Sequence, residues 1–194
     1  MGLACLTMRK TLTPAMTRFL ARWVSILAHP FVMASLMALG ASARAALLVA
    51  AFTVVPLAVL MLMQVRSGRW GDVDASEREE RPLLFAVAGL GLLALATYLA
   101  LTQPISPLLR GLLSPLVLLA GAALVNHWVK ASLHVAFAVL DAATLIMLGH
   151  VLGWVLVPVI PALGWSRLVL GRHRISELLA GALLGLAATL PQLS

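Results

Sequence analysis

Seven apolar runs separated by short polar breaks make up most of the chain. They cover about Trp23–Gly40, Ala45–Met63, Leu83–Leu101 and Leu108–Val125. A fifth continues from Ser132 and His134 to about Leu148, a sixth starts at the Gly149-His150 turn and ends near Leu163, and the last runs from Ile175 to near Leu190. Runs of this length predict helices that cross lipid, because a helix satisfies its own backbone polar groups where there is no water to do so. The expected fold is therefore all-α, a polytopic transmembrane helical bundle of about seven spans in a single domain, 1–194. The count falls to six if the first span is removed at Ala41-Ser42-Ala43, a stretch like a signal-peptidase site. The long region before that span favours an uncleaved helix. Gln103-Pro104 marks a hairpin, and Pro158 and Pro161 predict a kinked sixth span.

Composition agrees with the pattern. The 194 residues are 62% hydrophobic and 11% charged, with a mean hydropathy of +1.03, more apolar side chain than a soluble domain of this length can bury. The formal charge is +7, and the fourteen Lys and Arg lie in a few short stretches. In a membrane protein such clusters report topology and anionic headgroups, so membrane lipids are the expected partners and nucleic acid is not. Cys5 is the only cysteine, which rules out an intrachain disulfide.

The polar breaks have a regularity of their own. Gln64–Pro82 is the one long polar loop and holds five of the seven acids: Asp72, Asp74, Glu77, Glu79 and Glu80. A second break, Asn126–Lys130, leads into Ser132 and His134, and the third is Ser166–Glu177. Counting crossings places all three on one side of the bundle, together with the N-terminus. Residues far apart in sequence thus become one candidate site.

The third break carries the clearest chemistry. If a helix starts near His173, Glu177 lies one turn on and on the same face. A carboxylate there accepts the proton of one ring nitrogen and leaves the other free as nucleophile or base. Arg167, six residues earlier, is placed to fold back and hold an anion over the ring.

These residues resemble the type 2 phosphatidic acid phosphatase superfamily of membrane lipid phosphatases, over about residues 66–190. Ser166-Arg167, His173 and Glu177 match its third motif at every position but the last, where Glu stands for Asp. Ala131-Ser132-Leu133-His134 keeps the Ser and His of Pro-Ser-Gly-His, and Arg81-Pro82 keeps the end of the first motif, with Asp74 where that motif has Lys. The resemblance implies a metal-independent hydrolase of a lipid phosphate, phosphatidate-type or polyprenyl-type, that needs no cofactor. It implies His173 as the nucleophile forming a phosphohistidine, Glu177 as the group that orients it, and His134 as the general acid. Arg81, Ser132 and Arg167 would hold the phosphate oxygens. The missing Lys leaves the site one cation short. Arg78 and Lys130 are both placed to supply it, and Lys130, beside Ser132, is the better placed.

Two other functions fit parts of the chain. A lipid-binding relative without activity would explain the motif departures. A magnesium-dependent prenyl transferase would use Asp72, Asp74 and Glu77, but it needs a second acidic cluster and only Asp141 and Glu177 remain. Asp141, seven residues after His134, sits on the same helix face about 10 Å deeper, where a structural role is expected. His29, His127 and His150 fit no motif and are assigned to surface or interfacial positions. Trp23, Trp70, Trp128, Trp154 and Trp165 suit an aromatic belt near span ends. Arg9, Lys10, Arg18 and Arg22 flank the first span, and Arg44 and Arg110 fall on the other side. The positive-inside rule then puts the N-terminus and the site in the cytoplasm and Ser194 outside, in the inner (plasma) membrane of a bacterium.

Overall fold

The computed structural model describes residues 13–192, so Cys5, Arg9, Lys10 and Ser194 lie outside the described residues. Among the described residues there are helices and connections and no strand. Six helical stretches are long and apolar enough to cross a membrane: Pro14–Ala41, Ala43–Arg66, Arg78–Thr102, Pro107–Val125, Val151–Val169 and Ile175–Gln192. The protein is thus an all-helical integral membrane protein. Its outer surface is apolar, with Leu47, Leu90, Leu101 and Leu183 all largely exposed, as lipid contact requires.

The first stretch is not one straight helix. Helix α1 (Pro14–Leu27) starts on Thr13, whose hydroxyl accepts the Met16 N–H, and it stops at Ala28. Helix α2 (Pro30–Ala41) begins afresh, capped by His29, whose Nδ1 accepts the Phe31 N–H at 3.1 Å. Proline disfavours a helical conformation in the residue before it, and the break falls there. Next come α3 (Ala43–Val49), a π-helical turn (Ala50–Val54) and α4 (Val55–Arg66), then α5 (Arg81–Thr102), a short α6 (Pro107–Gly111) and α7 (Leu113–Val125).

The expected seventh span is where sequence and structure part. Helix α8 (Leu133–Met147) has 15 residues, about 22 Å, short of a hydrocarbon core of about 30 Å. It starts after the non-helical Val129–Ser132 and ends at Gly149, whose φ of 71° closes the turn. Eight of its residues are buried, from His134 to Ala142, so α8 is the central post of the bundle and lies behind other helices rather than against lipid. Around it stand α9 (Val151–Leu156), α10 (Val159–Val169) and α11 (Ile175–Ala187).

Two glycines set the α8–α11 distance. A Cβ on Gly181 would lie 2.5 Å from the Ser132 carbonyl oxygen, and one on Gly185 would strike the Ala136 carbonyl. This small-residue stripe lets the two backbones meet, as is common between helices in lipid. One main-chain bond results at the top of the contact: Ser132 N–H donates to the Glu177 carbonyl at 3.0 Å. It ties the second polar break to the third.

Candidate active site

The third break folds around its histidine. Gly171, at φ 68°, turns the chain out of α10, and Arg174 precedes α11. Glu177 is the third residue of α11, and its Oε2 accepts the Arg174 N–H at 3.1 Å. The same oxygen accepts from His173 Nδ1 at 2.8 Å. A carboxylate only accepts, so Nδ1 carries the proton and Nε2 keeps its lone pair. Burial pushes the His173 imidazole down, and the charges of Arg167 and Arg81 push it further, to about 4, against the upward pull of Glu177. His173 is therefore a neutral, oriented imidazole near neutral pH.

The other breaks close over it. Arg81 is buried; its Nη1 donates to the Ala131 carbonyl at 2.6 Å and its Nε to the Ala75 carbonyl at 3.3 Å, joining the first break to the second. Arg167 is almost wholly buried, and its Nη1 donates to Ser25 Oγ at 2.8 Å and to Asp74 Oδ2 at 2.9 Å. His134 occupies the first turn of α8, with its ring edge-on to His29 at a centroid distance of 4.9 Å. All the residues assigned catalytic or phosphate-binding roles thus gather at one end of the bundle, but neither stand-in for the missing Lys is shown bonded to another of them. Lys130 Nζ donates to the Ser76 carbonyl at 2.8 Å, and Arg78 contributes its carbonyl to Asn126 Nδ2. Both brace the 70s loop.

The cation that does reach the centre is Arg172, which the motif comparison left without a role. Its Nη1 lies 2.8 Å from Asp72 Oδ1, 2.8 Å from Asp74 Oδ2 and 2.9 Å from Ser76 Oγ. The loop is built to present these acids: Asp72 Oδ1 accepts from the Asp74 N–H and the Ser76 hydroxyl, and Ala75 takes a left-handed φ of 47°. Burial pushes the Asp74 carboxyl up, but Arg167 and Arg172 outweigh it and hold it below the ordinary carboxylate value. Asp72 and Asp74 therefore point at arginines rather than at a shared metal position with Glu77.

His29 is the second residue missed. Assigned to a surface or interface, it sits 3.8 Å from Asp74 Oδ1 through Nε2 and against His134. The signal was an ionisable residue inside an apolar run, next to a proline. Asp74, His29 and His134 each offer an atom within 4.8 Å of one another, a possible metal-ligand set among the described residues. The local bonding argues against a metal there. His29 Nδ1 already accepts the Phe31 N–H, so the neutral ring holds its proton on the Nε2 that faces the set, and Asp74 is bound by two guanidinium groups.

Among the described residues, six buried side-chain atoms have no hydrogen-bond partner, and three of them belong to this centre: Ser132 Oγ, His134 Nε2 and Arg167 Nε. Buried polar groups are rarely left so, and each of these three calls for a partner such as water or a bound group. The centre opens into a cavity of about 1010 Å³ with Asp74, Arg81, His134 and Arg167 at its head. One face of α8 lines it from His134 through Phe137 and Asp141 to Leu148, a depth of about 21 Å. Ser114 and Thr144 meet Gln192 Nε2 near its floor, and Asp141 Oδ2 lines the wall unpaired among the described residues. Of the remaining histidines, His127 is exposed as expected, and His150 is exposed and caps α9. Trp70 departs from the belt assignment: it is buried at the root of the 70s loop. No protein-family model, curated protein or solved structure matches this chain.

Proposed function

We propose that the protein is a lipid phosphatase that cleaves a phosphomonoester or diphosphate through a phosphohistidine on His173. The observation that carries this reading is the company His173 keeps. A neutral imidazole with its lone pair free lies under the charge of Arg81 and Arg167, and these two residues, with His134, head an apolar cavity. His173 Nε2 attacks phosphorus as the P–O bond to the lipid breaks, and the leaving alcoholate takes the proton of the substrate's monoanionic phosphate, relayed through His134. Water then attacks the phosphohistidine and releases phosphate. Arg81, Arg167 and Ser132 hold the equatorial oxygens. The cavity has room for about thirty methylene-sized groups at roughly 30 Å³ each, enough for two long acyl tails or a folded polyprenyl chain.

The substrate class and the sidedness belong to the same proposal: a lipid phosphate, met at the cytoplasmic face of the plasma membrane. Asp74, an anion inside an anion site, favours a second reading, a lipid-binding protein without turnover. One experiment separates the two. Detergent-purified protein is given phosphatidic acid, phosphatidylglycerol phosphate and polyprenyl phosphates, and phosphate release is measured beside acid-labile phosphoenzyme. Release from at least one lipid, with both signals lost in His173→Ala, is expected. Turnover in His173→Ala equal to the native protein ends the mechanism, and no release from any lipid favours the binding protein.

A further inference from the structure

Asp74 is in the wrong place for a phosphate site unless it has a job there. Its Oδ2 bridges Arg167 and Arg172 at 2.9 and 2.8 Å, the geometry a phosphate oxygen would take between two guanidinium groups. The chain holds it there by design of the loop. Asp72 fixes the Asp74 N–H and Ser76, Lys130 anchors the Ser76 carbonyl, and Arg81 anchors the Ala75 carbonyl. Beside this filled position, Ser132 Oγ, His134 Nε2 and Arg167 Nε stay unpaired among the described residues. The clamp is thus half occupied by a carboxylate and half open.

A phosphate anion cannot bond the open half while the Asp74 carboxylate stays in the other, because like charges within a few ångström repel strongly in a buried site. Either the anion is refused or Asp74 leaves. An inorganic phosphate has only its own contacts to set against the two arginine bonds of Asp74. A phosphate on a lipid brings its tail, and the cavity below buries that tail. Binding energy from the part of the substrate that does not react then drives the displacement.

We propose that Asp74 is a resident counter-anion in the phosphate clamp, which a substrate must displace, and that this restricts the site to phosphates carried on a long apolar tail. The proposal rests on the lipid phosphatase reading and deepens it. His29 has a place in it. Its Nε2 lies 3.8 Å from Asp74 Oδ1, so it flanks the resident position and is the group a displaced Asp74 leaves behind.

The test compares the full-length native protein in detergent with Asp74→Asn and Asp74→Glu. Binding of inorganic phosphate is measured by calorimetry, and hydrolysis is measured for a long-chain phosphatidic acid against a soluble aryl phosphate. Asp74→Asn is expected to bind inorganic phosphate at least tenfold more tightly than the native protein. Its preference for the lipid over the soluble ester should fall at least tenfold, and Asp74→Glu, which keeps a carboxylate in the clamp, should move both readouts less than Asp74→Asn. Tightened binding with no turnover in any variant would sink the phosphatase reading and leave the displaced carboxylate standing. Turnover in the native protein with unchanged phosphate binding in folded Asp74→Asn would do the reverse. If Asp74→Asn fails to fold, the native protein decides. Hydrogen exchange at the Asp74 amide, bonded to Asp72, should speed up when long-chain phosphatidic acid is added in mixed micelles; an amide as slow as in the free protein overturns the proposal.

Discussion

Gly181→Ala tests whether the α8–α11 contact holds the site together. The new Cβ would sit 2.5 Å from the Ser132 carbonyl oxygen, where ordinary contact begins at 3.4 Å, so one backbone must give by about 0.9 Å. The obstacle is main chain at the start of α8, and that oxygen also accepts the Ala136 N–H, so no side-chain rotation relieves it. Overpacking of this kind costs about 1–3 kcal/mol, offset by at most about 1 kcal/mol from the better helix propensity of alanine. The displaced segment includes Ser132, whose N–H bonds Glu177, so the His173–Glu177 pair shifts relative to Ser132 and His134. A misplacement near 1 Å costs catalysis on the order of 100-fold. Two controls fix the scale. Gly89 has open space for a Cβ, and at Gly121 the nearest atom is the flexible tip of Leu184 at 3.0 Å. Thermal unfolding in detergent and phosphate release are measured for all three alanine variants. Gly89→Ala and Gly121→Ala should stay near native in both, while Gly181→Ala loses stability and most of its turnover. A Gly181→Ala protein indistinguishable from Gly89→Ala would refute the idea that this contact positions the site.

Other outcomes follow from the same geometry. Glu177→Gln should lose most phosphate release while Glu177→Asp keeps a substantial part, since an amide oxygen can accept the Nδ1 proton of His173 but carries no charge to offset the one that builds on the ring as it attacks; equal rates for Glu177→Gln and the native protein would make the pair an accident of helical spacing. His173 should react with a carbethoxylating reagent as a neutral imidazole down to a midpoint of about 4, read by mass spectrometry because a phosphate substrate would itself titrate at about 6. The sign is that of a depressed base: the folded state favours neutral His173, a stabilisation present above the ordinary 6.5 and lost as pH falls from there through about 4, and a midpoint at 6.5 would contradict the buried, arginine-flanked setting. For sidedness, the short α8 still runs the depth of the cavity from His134 at its head toward Gln192 near its floor, so Ser67→Cys and Ser194→Cys in a Cys5→Ser background are exposed to an impermeant thiol reagent in intact cells; labelling at Ser194→Cys alone is expected, and labelling at Ser67→Cys alone would reverse the orientation.

Hydropathy foretold the helices because lipid leaves the backbone few options, and the four-residue step from His173 to Glu177 foretold their bond because helix geometry is local. The ends of the first span were less open to such reasoning. A run from Trp23 to Gly40 reads as continuous, yet the chain breaks at His29, where the proline after it and the cap to Phe31 outweigh apolar continuity. The role of α8 was obscured for a different reason. Its apolar composition suits a lipid-facing span and a buried post equally, and only its neighbours tell them apart. Asp74 was visible as a departure from the motif, but its partner was not, because the bond to Arg167 links residues 93 positions apart. Lys130 looked the better replacement cation from its nearness to Ser132 in sequence; its side chain turns to the Ser76 carbonyl, and Arg172 takes the inner position.

The short central helix also bears on how the protein is made. A 15-residue helix with Asp141 near its middle inserts poorly by itself, since a mid-helix carboxylate costs about 2.5–3.5 kcal/mol on insertion scales. It needs neighbours, and α10 and α11 leave the ribosome after it. His134 therefore waits in a nascent chain that has no His173, no Glu177 carbonyl for Ser132 and no Gly181–Gly185 face to pack on. The candidate site comes together only with the last helix, so a chain truncated before α11 lacks it and carries an unshielded polar post within the membrane.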